Sequence, residues 1–331
     1  MRESVRQEIG NLSELIGRSQ PHFVLAIDFG GTKIAVGCAT LGGDLLVQRR
    51  LSTSATRGAT QAVGRALAAG RALSRDLVDR YDGQLIGVGL VSPGVVLADQ
   101  ILLAPNVPGW ERLSLRQLAA EQFPGIPVAT CNDARAAAIA ELRWGHLQGI
   151  RSGLYVNVGT GVSAAVVIDG RVLAGSHQAA GEIGYARADP AADGPGYLEQ
   201  LLGGRWLARR ASLAAGHRLS VADALSTSEP VIREVVDKAI DTLGHHLANF
   251  SILLDPERIV MGGGLMNAAE RILPRLRHRL LEVVPFPPEL MAGAFVTDAA
   301  LRGAASIAID AAAEQPSDGR APSCAAPERV G

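Results

Sequence analysis

Apolar runs that end at glycines alternate with stretches of helical spacing along most of the chain. Aliphatic and β-branched runs bounded by turn residues predict buried strands, whereas apolar residues three or four positions apart predict helices. We therefore expect strands at 23–28, 32–40, 44–50, 85–91, 126–130, 154–157, 162–168, 171–174 and 258–261. Helices are expected at 59–80, 132–144, 197–251, from 266 onwards and at 298–312. Strands and helices that alternate in this way predict an α/β fold.

One strand–turn–strand pattern occurs twice. The segment LAIDFGGT, residues 25–32, corresponds to LYVNVGTG, residues 154–161, so that Asp28 matches Asn157 and Gly30 matches Gly159 at the same offset. A tight glycine turn directs successive backbone N–H groups to one point, where they can bind phosphate oxygens. Two such turns that face each other across an interdomain cleft would hold a polyphosphate from both sides. The alternative is that each is only a hairpin turn.

The duplication predicts two α/β domains. We place a small domain at 23–131, with a C-terminal helix at 298–314 that packs back onto it, and a large domain at 132–297. Residues 1–22 are polar with apolar residues at helical spacing, which predicts a short surface helix closed by Pro21. Residues 315–331 are rich in proline, alanine and charge, which predicts a disordered tail.

Candidate phosphate-binding residues follow the first predicted strand. The carboxylate of Asp28 can hold a Mg²⁺-bound water, Gly30 and Gly31 let the backbone approach a ligand closely, and Thr32 adds a hydroxyl donor. Lys33 either donates to a phosphate or is solvated. The spacing differs from that of a Walker A loop.

A glycine triplet, Gly262, Gly263 and Gly264, lies between a predicted strand and a helix. Alone it is a weak dinucleotide signal. Together with the two glycine turns, it favours a flat backbone surface against an adenosine.

Asn132 and Asp133 begin an alanine-rich predicted helix. Asn and Asp are common helix caps, and capping alone is one interpretation. In the other, Asp133 accepts the proton of an attacking hydroxyl and orients its oxygen towards a γ-phosphorus. The helix N-terminus would favour the ionised carboxylate.

Polar residues also cluster with glycines in predicted loops, namely Asn106 near Gly109, Glu182 with Tyr185, and Glu199 after Gly196. Neutral, hydroxyl-rich ligands need several converging donors and acceptors, which these side chains supply. Turn chemistry is the alternative for each cluster taken alone.

Composition excludes several classes of protein. The net charge is −1, with 32 Lys and Arg against 33 Asp and Glu, so a basic nucleic-acid-binding surface is not expected. Three widely separated cysteines exclude a disulfide scaffold. We find no signal peptide and no apolar run long enough to span a bilayer, and we expect a cytoplasmic protein.

Together these motifs resemble the ROK family (repressors, open reading frames, kinases) over residues 23–312. The resemblance implies a two-lobed actin-like ATPase/hexokinase (ribonuclease H-like) fold with a duplicated βββαβ core. It implies ATP and Mg²⁺ as cosubstrates and Asp133 as the catalytic base. Residues implied in ATP or phosphate binding are Asp28, Gly30, Gly31, Thr32, Lys33, Gly159, Thr160, Gly161, Gly262, Gly263 and Gly264. Residues implied in sugar binding are Asn106, Asn132, Asp133, Glu182, Tyr185 and Glu199.

The chain departs from the family pattern where the family holds a structural zinc. The family usually has a histidine at the position of Tyr185, followed by three cysteines, whereas residues 189–199 contain no cysteine. We therefore predict no zinc site, and a loop held by packing that involves Tyr185 and Tyr197. The longer phenol changes the sugar pocket and puts ordinary glucokinase activity in doubt. An amino group on the substrate would pair with Glu182 or Glu199.

The resulting expectation is a kinase that phosphorylates the 6-hydroxyl of a hexose-like sugar, either an amino sugar such as kanosamine or glucose. A C7 cyclitol of the valiolone type is the alternative substrate. A sugar-responsive repressor or a non-catalytic sensor is the alternative class. Family repressors carry a winged helix-turn-helix before the first phosphate motif, whereas residues 1–22 are short and not basic. The resemblance further implies a homodimer or homotetramer, without nucleic-acid or membrane partners.

Overall fold

The structure is a computed structural model that describes residues 21–104, 108–188 and 196–314. The predicted N-terminal helix and C-terminal tail, Asn106 and the segment 189–195 lie outside these ranges, apart from Pro21 and His22. The described residues form two compact units. The first unit comprises the described parts of Met1–Ala136 and Ala300–Gly331, and the second unit is Ala137–Ala299. Asn132 and Asp133 fall in the first unit, although the predicted boundary precedes them.

The first unit is built on a five-stranded sheet with the order β3-β2-β1-β4-β7. Its strands are β1 (His22–Phe29), β2 (Lys33–Thr40), β3 (Leu45–Ser52), β4 (Gln84–Ser92) and β7 (Val128–Asn132). The first three pair antiparallel, and β4 lies parallel between β1 and β7. A small hairpin, β5 (Val95–Val96) and β6 (Ile101–Leu102), follows β4.

Helices cover the sheet of the first unit. α1 (Ala59–Tyr81) and α2 (Leu115–Gln122) contribute to one apolar core with β1, β2 and β4. α9 (Ala299–Ala313) lies against β4, because Gly87 and Gly89 leave room for the backbone carbonyls of Ala308 and Ala304. A side chain at either glycine would collide with this helix.

The second unit repeats the arrangement of strands, with the sheet order β10-β9-β8-β11-β12. Its strands are β8 (Gly153–Val158), β9 (Val162–Ile168), β10 (Arg171–Val172), β11 (Arg258–Gly262) and β12 (Glu289–Ala292). Again three strands pair antiparallel, and β11 lies parallel between β8 and β12. The duplicated hairpin predicted from the sequence thus opens each sheet.

The long helical stretch predicted at 197–251 is four helices rather than one. These are α4 (Leu198–Leu202), α5 (Gly204–Ala215), α6 (Val221–Ser226) and α7 (Pro230–Leu254). Gly216, at φ 74°, ends α5, Ser220 caps α6, and Pro230 occupies the first turn of α7. α8 (Ala269–Val283) follows a short 3₁₀ turn, Gly264–Ala268. These helices enclose the core of the second unit.

Among the described residues, no helix has both the length and the apolar character that a bilayer crossing requires. The remaining helix, α3 (Asp133–Trp144), begins in the first unit and continues into the second. It carries Asp133 at its first position.

Candidate active site

The candidate acidic residues of the first unit lie at the carboxyl ends of parallel strands. Asp28 is the penultimate residue of β1, and Asn132 is the last residue of β7. β4 lies between them, and its Val91 and Ser92 pair with Asp28 and Asn132 respectively. The register therefore brings Asp28 and the Asn132–Asp133 pair to one edge of the sheet, which is where open α/β sheets bind ligands.

Asp28 and Asp133 both resist ionisation, and the charge of Asp133 acts on Asp28. Burial, and to a smaller extent the negative charge of Asp133, together raise the pKa of the half-buried Asp28 from 3.8 to about 7. Burial also raises the pKa of Asp133. Two carboxylates that share a desolvated site resist ionising together, and such pairs are characteristic of sites that handle protons or cations.

The helix N-terminus does not dominate the titration of Asp133. The amide of Ala134 donates to Oδ1 at 2.7 Å, and this contact lowers the pKa, as the sequence argument expected. Desolvation is the larger effect, so the net direction is upward. Ionisation of this carboxylate near neutrality, which the sequence argument expects, stays a prediction, and the opposing effect of burial could not be read from the sequence.

Asn132 caps the N-terminus of α3, which is the alternative role that the sequence offered for the Asn132–Asp133 pair. Its Oδ1 accepts from the amide of Arg135 at 3.0 Å, and its Nδ2 donates to the carbonyl of Gly94 at 2.8 Å. The side chain is 4% exposed. Asn132 therefore fixes the start of α3 and so holds Asp133 in place, while its contact with a sugar stays a prediction.

The first glycine turn is braced from the following segment. Thr53 donates through Oγ1 to the carbonyl of Gly30 at 2.7 Å, and its amide donates to the carbonyl of Thr32 at 3.0 Å. Arg65 of α1 donates through Nη2 to the carbonyls of Ser52 and Thr53 at 2.9 and 2.8 Å. Sequence reasoning missed Thr53 and Arg65, since neither belongs to a motif.

The open side of this turn carries the predicted donors. Thr32 and Lys33 are exposed, whereas Gly30 and Gly31 are partly buried. A Cβ atom on Gly30 would lie 2.6 Å from the carbonyl oxygen of Lys33, so only glycine permits this turn. The exposed Thr32 and Lys33 thus lie just beyond the end of β1, next to the glycine turn.

The second glycine turn lies beside the glycine triplet. The amide of Gly159 donates to the carbonyl of Gly161 at 2.9 Å and closes the turn, which also includes Thr160. A Cβ on Gly159 would lie 3.9 Å from the amide nitrogen of Gly264. Gly263, at φ 87°, packs its backbone against Val158 and the side chain of Asn157. The structure therefore brings two motifs of the second unit together that are separated by about a hundred residues in the sequence.

Gly262 completes the triplet above a buried aromatic ring. A side chain there would collide with the ring of Tyr155, which is 1% exposed. Gly264 has open space where a Cβ would be. The triplet thus combines a buried glycine, a glycine at positive φ and an exposed glycine with open space beside it.

The candidate sugar-binding residues of the second unit cluster around two tyrosines. The rings of Tyr185 and Tyr197 meet edge to face, with centroids 5.2 Å apart. Burial raises the pKa of Tyr185, and the charges of Glu182 and Glu199 raise it further. The phenol therefore stays neutral at ordinary pH and lies within reach of two carboxylates.

A short backbone ribbon joins the segments that carry these residues. The amide of Ala188 donates to the carbonyl of Gly196, and the amide of Leu198 donates to the carbonyl of Ala186, both at 2.8 Å. Tyr197 lies on this ribbon and Tyr185 directly precedes it, so the predicted pair is in contact, while the packing of the segment 189–195 lies outside the described residues and stays a prediction. The described residues contain no group of three or more His, Cys, Asp or Glu that could hold a metal ion. Absence of zinc stays a prediction, as does the role of Asn106.

Comparisons with known proteins agree on one family. A profile described as the ROK family matches residues 24–311. The glucokinase of Halalkalibacterium halodurans is 30% identical over 292 residues, covering 77% of this chain and 84% of that protein. The N-acetylmannosamine kinase of Salmonella heidelberg is 31% identical over 296 residues, covering 86% and 97%.

A solved structure extends the likeness to the fold. The ROK family glucokinase of Streptomyces griseus, crystallised with glucose and AMPPNP, is 26% identical and superposes with a TM-score of 0.75. The match covers 87% of this chain and 99% of that one. The predicted fold class, an α/β actin-like ATPase fold with a duplicated core, is confirmed. On the profile match and these relatives, the chain belongs to the ROK family.

Proposed function

We propose that this protein is an ATP-dependent sugar kinase, which transfers the γ-phosphate of MgATP to the primary (6-position) hydroxyl of a hexose-like sugar. The observation that carries the proposal is the pair Asp28 and Asp133. These carboxylates lie at one edge of a sheet, beside a glycine turn, and both have raised pKa values. The family relatives named glucokinase and N-acetylmannosamine kinase support the reaction class.

Asp133 is the general base in this proposal. It removes the proton from the acceptor hydroxyl as that oxygen bonds to the γ-phosphorus, and the bond to the leaving ADP oxygen breaks. A carboxylate whose pKa is raised above its ordinary value is a stronger base than an ordinary one, provided that it is ionised. Asn132 contributes by fixing the first turn of α3, on which Asp133 lies.

Asp28 contributes to the binding of MgATP in this proposal. Its negative charge is disfavoured in the free protein by burial and by Asp133. The divalent cation that arrives with ATP would relieve that repulsion, and oxygen ligands of this kind suit Mg²⁺. The turn at Gly30 and Gly31, with the hydroxyl of Thr32 and the ammonium of Lys33, offers donors to phosphate oxygens. In the second unit, the Gly159–Gly161 turn and the triplet Gly262–Gly264 offer a phosphate turn and an adenosine surface.

The acceptor proposed is a modified hexose, an amino sugar such as kanosamine, with glucose as the simpler candidate. Glu182 and Glu199 both place negative charge near the phenol of Tyr185. A protonated amino group gains from carboxylates and from aromatic faces, here Tyr185 and Tyr197. A C7 cyclitol of the valiolone type is the alternative, because it presents a primary hydroxyl without requiring a cation site.

The test is ADP release by the full chain with MgATP and a panel of acceptors: glucose, mannose, N-acetylmannosamine, glucosamine, kanosamine and valiolone. The position of the phosphate group on the product is then determined by NMR. Asp133→Asn should lower turnover by about 10²–10⁴-fold, while AMPPNP binding stays within a few-fold. Asp99→Asn, an exposed carboxylate of the same unit, is the matched control. The proposal is wrong if no acceptor is phosphorylated, or if Asp133→Asn retains full turnover.

A further inference from the structure

Glu199 joins the proposed acceptor site to the proposed phosphate turn of the second unit. Its Oε2 accepts from the amide of Val162 at 3.3 Å. A Cβ atom on Gly161 would lie 2.5 Å from the same oxygen. The carboxylate therefore packs directly on the backbone of the turn, and its charge also contributes to raising the pKa of Tyr185.

A carboxylate in this place opposes the binding of a polyphosphate. Like charges repel with an energy that falls only as the inverse of distance, and the repulsion is stronger near protein than in bulk water. Glu199 is 32% exposed, so solvent weakens the effect without removing it. A turn that receives phosphate next to this carboxylate needs a compensating positive charge.

Arg205 is positioned to supply that charge. Its Nη2 lies 3.5 Å from Oε1 of Glu199. Arg205 is the second residue of α5, and the first, Gly204, donates its amide to the carbonyl of Gly159 at 2.8 Å. The guanidinium also lies 5.4 Å from the ring centroid of Trp206, which restricts where it can move. The cation is thereby held on the same helical turn that contacts the phosphate turn.

We infer that Arg205 is the counter-charge that allows Glu199 to stand at the Gly159–Gly161 turn while a nucleotide polyphosphate is bound. Arg205 is thus a positioning residue for nucleotide binding, acting through Glu199. The inference rests on the proposed function, because it requires that this turn receives phosphate.

The chain offers a matched control for this inference. Arg209 lies one helical turn further along α5 and packs over the same Trp206 ring, at 5.8 Å from its centroid. It shares with Arg205 its charge, its helix and its aromatic neighbour. A difference between the two variants therefore cannot come from the charge, the helix or the aromatic contact that they share.

The experiment is calorimetric titration of the full chain with Mg²⁺–AMPPNP at two salt concentrations. Arg205→Met should weaken binding by about five- to tenfold, because an exposed pair contributes up to about 1 kcal/mol and the exposed anion adds to that loss. The loss of affinity in Arg205→Met should become smaller as the salt concentration rises, since salt screens the interaction between charges. Arg205→Lys should retain most of the affinity, and Arg209→Met should change it by less than twofold.

The double variant Arg205→Met/Glu199→Gln gives the decisive comparison. Without the carboxylate the counter-charge is no longer needed, so the double variant should bind Mg²⁺–AMPPNP about as well as Glu199→Gln alone. A merely structural role for Arg205 predicts instead that the deficit persists in the double variant. Equal losses in Arg205→Met and Arg209→Met, or a persistent deficit, would overturn the inference. Failure of the unaltered chain to bind Mg²⁺–AMPPNP would overturn the proposed function itself, and this inference with it.

Discussion

Replacing Asp28 by Asn should change how the stability of the first unit depends on pH. A carboxyl whose pKa is raised to about 7 in the folded protein holds a proton that the unfolded chain has already lost above its ordinary value of 3.8. The folded state is therefore favoured at low pH, and this contribution is lost as the pH rises through about 7. Asp28→Asn cannot titrate, so it removes this dependence.

The size of the effect follows from the pKa. Between pH 5 and pH 8 the folded carboxyl passes from protonated to ionised while the unfolded one stays ionised throughout. At about 1.4 kcal/mol per tenfold change in proton affinity, the unaltered protein should lose about 2.7 kcal/mol relative to the variant over this interval. Because Asp28 is only half-buried and solvent screens its charge, we expect about 2 kcal/mol in practice.

The assay is urea unfolding followed by circular dichroism at pH 5, 6, 7 and 8, without nucleotide. The difference in unfolding free energy between Asp28→Asn and the unaltered chain should grow with pH and level off above neutrality. Asp99→Asn, which replaces an exposed carboxylate, should run parallel to the unaltered chain. Parallel curves for Asp28→Asn as well would refute the view that the Asp28 carboxyl is desolvated and opposed by Asp133.

Four further outcomes follow from single contacts. The value of kcat/KM for sugar phosphorylation should fall as the pH is lowered, with a midpoint above the ordinary pKa of aspartate, because the pKa of Asp133 is raised. A midpoint at or below the ordinary pKa of aspartate counts against Asp133 as the base. Thr53→Val should raise the KM for ATP several-fold while Thr40→Val does not, since only Thr53 holds the carbonyl of Gly30; equal KM values would show that the brace is dispensable. Glu141→Gln should lower the unfolding free energy by about 2 kcal/mol, because the buried carboxylate of Glu141 accepts hydrogen bonds from the amides of His146 and Phe295. Glu234→Gln, at an exposed position, is the control, and equal urea midpoints for the Glu141→Gln variant and the unaltered chain would contradict this reasoning. Tyr197→Phe should preserve acceptor KM and Tyr197→Ala should raise it, and no difference between them would exclude the ring contact with Tyr185 as the reason for the tyrosine.

Local signals explain why the sheets could be predicted from the sequence. An apolar run that ends at a glycine turn can be recognised from a few consecutive residues. The first strand, expected at 23–28, is observed at His22–Phe29. The repeat at Asn157 predicted a second sheet of the same kind, which the strand orders of the two units bear out. The two-residue strands β5 and β6 are too short to show a hydrophobic alternation. β12 directly follows a pair of prolines, and this strand was therefore not recognised in the sequence.

One missed helix did carry a signal. Ser114 caps α2 by accepting from the amide of Gln117 at 3.2 Å. Ser followed three residues later by Gln is a recognised start pattern for helices. By contrast, the brace on Gly30 from Thr53 and Arg65 depends on tertiary contacts that no spacing encodes. The pKa of Asp133 belongs to the same class, since it depends on burial.

The two copies of the hairpin have diverged at the position where charge matters most. In the first unit this position is Asp28, a carboxylate opposed by Asp133 and therefore suited to a cation. In the second unit it is Asn157, whose amide lies against the backbone of Gly263 and near Gly159. A neutral amide can donate and accept in the same place, so it can join the turn to the triplet without adding negative charge. Because the second unit already carries Glu199 beside its turn, a further carboxylate there would add to the repulsion that Arg205 has to offset. Under the proposed function, the same backbone turn would serve a metal-bearing phosphate in one unit and a plain phosphate and adenosine surface in the other.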